Sequence, residues 1–429
     1  MRTSAPRSRT RKTPTRGRCL LAATALLVGG AQPLLAEDPL AGLTESEAVE
    51  RALSRPGIVE MWSGEVGRAR SEATRAALLP NPVAGYAREQ TFGGDEASAE
   101  NYAWVLQKLD LSGRRGLRTE AAQRQVEATE DDVRSDRRAL RAEIRARFYD
   151  VMQRQRRVEA VRQWSARLAL VAERTARRAA AGDAAAYDRQ RAAREHAASV
   201  ARCAIEEAGL ARASEQLAAL VTDQAPATAA GPVVGELLPE TPPADLETIL
   251  ARLPARPDLR ALDAAADAAE LQQRASARWW LPEVEIGAGY KGVEMADERL
   301  NGFTATGAIP LPLLNRNQDD AMRAAADAQI ARGRRRTELA AAAGELRGVH
   351  AQATQLAAAA RQVRAAEGPD PRALAQTAEA AYHGGEGGIL ELVDAYRVQL
   401  DAELQIVDLE WRARRARIEL DRLSEEDPS

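Results

Sequence analysis

Two carboxylates head the residues able to do chemistry: Glu391 and Asp394, three apart in YHGGEGGILELVDAYR (Tyr382 to Arg397), directly after a run of glycines. A fainter copy, AAAGDAAAYDRQRAAR, sets Asp188 six residues after Gly182, as Glu391 stands six after Gly385. Asp401 and Asp408 continue the acidic spacing along the last helix, off an apolar seam of Ile389, Val393, Tyr396, Leu400, Leu404, Val407, Trp411 and Ile418. The plain reading of such an acidic face is a solvated surface. The rest of the inventory is thin. His196, His350 and His383 are scattered; His383 beside Glu386 is either a metal contact or an ordinary surface residue. The sequence has no phosphate loop, zinc spacing or nucleophile elbow, so it is read as no enzyme and as needing no cofactor.

The elements that position these groups follow from composition. The chain has 429 residues, 29% of them charged, a net charge of −3 and only 4% aromatic residues. That balance argues against nucleic-acid partners and for long Ala/Arg/Glu/Leu helices joined along small-residue seams. Basic residues 1–18 followed by an apolar run ending near Ala36 read as an export signal over 1–36, the alternative being a basic tail with an anchor helix. Cys19 falls in that leader and Cys203 stands alone, so no internal disulfide is expected.

The remainder is written twice. LSRPGIV at Pro56 is echoed by PARPDLR at Pro257, an offset of 201; Pro80 is echoed by Pro282 and Arg114 by Arg316, both at 202; Gly182-Asp183 is echoed by Gly385-Glu386 at 203. Repeat one spans 37–222, a Pro/Gly/Thr-rich linker 223–245, and repeat two 246–429. Each is expected to run helix, β-hairpin, long helix, glycine break, helix. The first helix is read as 44–79, opened by a capping box of Thr44 and Glu47, and the long one as 114–181. GPDP at Gly368 to Pro371 marks a break in the second long helix.

The hairpins, about 82–111 and 282–312, alternate with period two. Val284, Ile286, Ala288 and Tyr290 share one side of the second; Tyr102, Trp104 and Leu106 share one side of the first. Strands of about ten residues with one apolar face match the length that crosses an outer membrane. The alternative is two hairpins half-buried on the helices. Four strands cannot close a barrel, so in lipid the chain must associate with copies of itself. Trp279 and Trp280 are candidate interfacial aromatics.

The ordered motifs LTESEAVERAL…RP, LLPNP, LDLSGRRGLR, AAAGDAAAYD, RPDLRAL, WLPEVEIGAGY, IPLPLLNRNQ and AYHGGEGGILELVDAYR make the chain resemble the outer-membrane efflux protein (TolC-type) family, most like its heavy-metal cation efflux branch. The resemblance implies a mainly α fold with a β membrane part: two structural repeats, a long coiled α-helical periplasmic barrel, and four strands per protomer in a trimeric twelve-stranded barrel. It implies an outer-membrane location with the helices in the periplasm, contact with outer-membrane lipid, and a homotrimer docking a periplasmic adaptor and a proton-driven inner-membrane transporter. The resemblance makes Gly182, Asp183, Gly385 and Glu386 the adaptor-docking tips, the second spanning 384–388. It places Glu391, Asp394, Asp188 and Tyr382 at the periplasmic gate, where three-fold symmetry would make rings of like charge. Gly387 stands where the family can carry a basic partner for the tyrosine, so the latch is expected to be weaker or built differently. A secreted coiled-coil scaffold or adaptor without a pore is the competing reading.

Overall fold

The computed structural model describes residues 40–93, 98–182, 185–222, 231–278, 283–295, 297–311, 313–314, 316–365 and 371–424. The leader over 1–36, Asp183, Trp279, Trp280 and the GPDP proline-glycine break up to residue 370 lie outside them.

The first half runs α1 (Glu45–Leu53), α2 (Pro56–Ala77), β1 (Val83–Thr91), β2 (Ser98–Asp110), α3 (Arg114–Ala181) and α4 (Ala186–Val221). The second runs α5 (Leu246–Arg252), a 3₁₀ turn (Leu253–Ala255), α6 (Pro257–Ala277), β3 (Glu283–Glu294), β4 (Arg299–Ala308), α7 (Gln318–Ala365), α8 (Pro371–Gly384) and α9 (Ile389–Ser424). The order of the first half is thus repeated, with α7 and α8 in the place of α3. Among the described residues no helix is long and apolar enough to cross a membrane.

The capping box at Thr44 forms as expected: Thr44 N donates to Glu47 at 3.0 Å and Glu47 N donates to the Thr44 hydroxyl at 3.4 Å. The Thr44 backbone N–H, and after it the Thr44 hydroxyl donating to the same carboxyl at 2.9 Å, hold Glu47 below its ordinary range. The single helix read over 44–79 is instead two. Pro56 sits in the first turn of α2, where its missing N–H costs nothing, but its ring keeps Arg55 in extended backbone and so ends α1 at Leu53.

α3 is 68 residues long, roughly 100 Å at the helical rise. It forms the frame against which α1, α2, α4, α6 and α9 pack. One core gathers Ile144, Phe148, Val151 and Met152 of α3 with Leu217 of α4, Leu40, Leu43 and the connector residues Val233 and Leu237. The connector therefore does more than join. Arg414 of α9 donates to the carbonyls of Glu236, Leu237 and Leu238 at 2.6 to 2.9 Å, with its guanidinium 4.5 Å from the Tyr149 ring centre. A second core joins α3, α8 and α9 near the helix turns, and a third joins α5, α6, α7 and α9.

The strands form one antiparallel sheet in the order β1-β2-β3-β4, with β1 and β4 as edges. In register, Tyr86 lies opposite Ala103, Ala103 opposite Tyr290, and Tyr290 opposite Phe303. That face carries Ala84, Tyr86, Val105, Ile286, Ala288, Tyr290, Phe303 and Ala305. Its large side chains are bare: Phe303 is 88% and Tyr86 66% exposed. The register separates two sets that sequence alternation left unrelated. Tyr102, Trp104 and Leu106 lie on the face opposite to Val284, Ile286, Ala288 and Tyr290. They fill the space above glycine: a Cβ on Gly85 would stand 2.5 Å from the Trp104 ring, and one on Gly287 2.3 Å from Leu106 Cδ2.

Candidate functional site at the helix turns

Each glycine turn closes by the same backbone device. Gly182 (φ 88°) and Gly385 (φ 78°) occupy the left-handed region, which costs an L-residue about 1–2 kcal/mol and glycine nothing. Gly182 N donates to Ala179 O at 3.2 Å, while Gly385 N donates to Tyr382 O at 3.3 Å and Glu386 N to Ala381 O at 2.9 Å. Asp183 lies outside the described residues.

The two turns then hand over to helices in parallel fashion. Asp188 and Glu391 each occupy the third position of the helix that follows, α4 and α9. A carboxylate there is stabilised by the helix dipole. Glu391 also uses it locally: Gly388 N donates to Glu391 Oε2 at 2.6 Å. Sequence reasoning missed this capping contact, although a carboxylate three residues after the first non-helical position is its signal. Asp394 lies one turn on and is exposed, on the same face of α9 as Glu391. Asp188 is half-buried. Further along, the acidic face divides: Asp408 turns inward and pairs with Arg157 at 3.0 Å and Gln153 at 2.8 Å.

Tyr382 is half-buried at the end of α8 and does have basic company, from α3. Its hydroxyl is 3.1 Å from Thr175 Oγ1, and the Arg178 guanidinium lies 5.9 Å from its ring centre. Gly387 leaves little room for the basic residue that the resemblance allows there, since a Cβ would stand 3.2 Å from both Ala381 Cβ and Glu391 Oε2. The adjacent His383 bonds Arg174 through Nε2 at 2.5 Å and the Glu379 carbonyl through Nδ1 at 2.7 Å. Both ring nitrogens are therefore engaged within the protein, away from Glu386. Among the described residues no three His, Cys, Asp or Glu side chains converge as metal ligands would.

Residues outside the expected gate set, Tyr396 of the apolar seam among them, tie the two turns together. Arg397 of α9 reaches the buried Glu195 of α4 at 2.5 Å. Arg167 of α3 donates to Gln399 at 2.5 Å and lies 5.8 Å from the Tyr396 ring centre. Tyr396 donates a hydrogen bond from its hydroxyl to Glu379 of α8, and burial together with that bond pushes its own ionisation well above the usual phenol range. The available signal was the arginine spacing on α3, with Arg167, Arg174 and Arg178 on one side at intervals of seven and four.

Known proteins share this architecture. The family model described as outer membrane efflux protein matches residues 251–424. The chain is 23% identical over 391 residues to the cobalt-zinc-cadmium resistance protein CzcC of Cupriavidus metallidurans, covering 91% of this chain and 92% of that one. Its fold superposes on the outer-membrane channel OprN with a TM-score of 0.73 at 21% identity, covering 88% and 89% of the two chains. On the outer membrane protein VceC of Vibrio cholerae the TM-score is 0.72 at 18% identity, covering 89% and 96%. Two-fold repetition, one four-stranded antiparallel sheet and paired glycine turns on long helices agree with those matches, and over residues 251–424 the chain matches the outer membrane efflux protein family.

Proposed function

We propose that three copies of this chain form the outer-membrane channel of a tripartite efflux system, a passive conduit whose helical part lies in the periplasm. The observation that carries this reading is the sheet: four strands with one bare apolar face and two open edges. In lipid an open edge leaves several kcal/mol of unmet hydrogen bonding per group, so β1 of one copy must meet β4 of the next. Three copies then supply twelve strands. The likeness to a cobalt-zinc-cadmium resistance protein supports metal cations as cargo.

In this reading the glycine turns at Gly182 and Gly385-Glu386 dock a periplasmic adaptor, which couples the conduit to a proton-driven inner-membrane transporter. Glu391 and Asp394, with Asp188 beside them, ring the entrance and favour cations by charge. Tyr382, held by Thr175 and Arg178, keeps α8 against α3 while the entrance is closed.

The test is extraction followed by conductance. A detergent-requiring trimer that conducts in planar bilayers, with cation preference reduced in the E391A/D394A variant, is the expected result. A stable monomer obtained without detergent would favour the pore-free scaffold and end the channel reading. Conductance with unchanged preference would remove Glu391 and Asp394 from the entrance.

A further inference from the structure

We propose that Lys291 keeps the far end of the conduit passable to multivalent cations, by halving the charge of a carboxylate ring that would otherwise hold them. The inference rests on the channel reading, which makes the face opposite the bare apolar one the lumen wall.

Of the chain's 60 basic residues only three are lysine, and Lys12 lies in the leader. The other two, Lys108 and Lys291, are both in the sheet and both on that inner face, while Arg88 and Arg299 project from the outer one. Near the hairpin loops Glu89 of β1 sits directly opposite Glu100 of β2. Like charges facing each other across strands repel and, repeated three-fold, would make a ring of six carboxylates. Lys291 of β3 breaks that pattern. Its Nζ lies 2.7 Å from Glu100 Oε2 and 5.1 Å from the centre of the Tyr102 ring, which stands opposite it in register. Each copy therefore contributes a net charge of −1 from Glu89, Glu100 and Lys291, in place of −2.

The magnitude of that difference matters because conduction needs an attraction strong enough to admit a cation and weak enough to release it. A six-carboxylate ring offers the oxygen donors that divalent cations prefer. With Lys291 on Glu100, one carboxylate per copy is already neutralised. The same face repeats the arrangement at its helix-proximal end, where Lys108 lies opposite Glu285.

The experiment uses the full chain in planar bilayers at about 10 mM salt, where screening is weak and charges act over roughly 30 Å. It is run in the E391A/D394A background so that entrance charges do not set the result. Lys291→Met is expected to raise the cation-to-anion permeability ratio about two-fold or more and to introduce block by added Zn²⁺. Glu100→Gln is expected to lower the ratio, the double variant E100Q/K291M to restore it, and Lys291→Arg to leave it unchanged. A cross-strand pair that only holds the sheet together would move folding without opposite-signed shifts in selectivity. Conducting variants with unchanged ratio and no Zn²⁺ block overturn the inference alone; absence of conductance from the background protein and the wild type overturns the channel reading beneath it.

Discussion

The two halves of the molecule cover the same path from sheet to turn with different materials. α3 runs unbroken for 68 residues and buries Ile144, Phe148, Val151, Met152, Val161, Trp164 and Leu168. α7 and α8 divide the same path, and apart from Leu346 the buried residues of α7 are alanines: 324, 328, 342, 353, 357 and 360. A fully buried large apolar side chain is worth about 1.5–3 kcal/mol and a single methyl about 0.8. α3 is therefore anchored by side-chain volume and α7 by close backbone approach, while α9 of the second half supplies large side chains of its own, among them Ile389, Leu392, Val393 and Leu400. The lesson is that one topology can carry a frame held by side-chain volume and an arm held by small-residue contact. The arm is the part that ends at Gly385, Glu391 and Tyr382.

The largest effect expected from this contrast is at Phe148, which is fully buried beneath the connector. Phe148→Ala should cost about 3–5 kcal/mol, read as a lowered Tm in detergent by circular dichroism. A loss no greater than that of an exposed alanine substitution would break the claim that α3 is anchored by volume.

Charge also concentrates on the frame. Arg157 of α3 holds the buried Glu206 of α4 at 2.7 Å and Asp408 of α9 at 3.0 Å. Arg157→Ala leaves Glu206 with the longer Arg154 contact at 3.6 Å, so the cost should fall below the ~3–5 kcal/mol of a fully stranded buried charge. Its hydrogen bond to Arg157 holds the Glu206 carboxyl below the ordinary glutamate range, outweighing the opposite push from burial. A carboxyl lowered on folding contributes stability that is fully present above its unfolded pKa, about 4.3, and that is lost as pH falls through the folded value. The wild-type protein should therefore lose stability below about pH 4.3 more steeply than the Arg157→Ala variant. Parallel acid limbs in thermal scans would detach Glu206 from Arg157.

Much of this frame was legible in the sequence, because caps, glycine turns and proline breaks are local. Thr44 with Glu47, the helix from 114 to 181, and the turns at Gly182 and Gly385 needed only neighbouring residues. What required a distant partner was not legible. Arg55-Pro56 reads as helix from either side, since a first-turn proline disturbs no periodicity. The two strand faces could not be matched until pairing of β2 with β3 fixed the register. The connector looks like a polar loop until Arg414, from α9, binds its carbonyls. At the turns, the carboxylate positions were readable, but the arginines on α3 that meet α8 became evident only from packing.

The alanine seam gives the next contrast. Ala353 is buried where α7 meets its neighbours, and Ala353→Leu should cost about 1–3 kcal/mol by overpacking. The control is Ala340, exposed on the same helix, where leucine should be nearly neutral. If Ala353→Leu is also neutral in thermal scans, the seam is loose and the helices are not held by close approach.

The smallest effect should be at the end of the arm. Tyr382→Phe removes the 3.1 Å hydroxyl contact with Thr175 but keeps the ring beneath Arg178. One neutral hydrogen bond contributes about 0.5–1.5 kcal/mol net, too little to move global unfolding far but enough to shift a local opening several-fold. Hydrogen exchange should therefore quicken in α8 near Tyr382 while the facing turn of α3 around Thr175 stays protected. Thr175 is fully buried and also bonds Val171 O at 2.8 Å, so its own helix does not depend on the tyrosine. Equal quickening on both sides would mean that frame and arm open together, and that the asymmetry between the halves stops short of the turns.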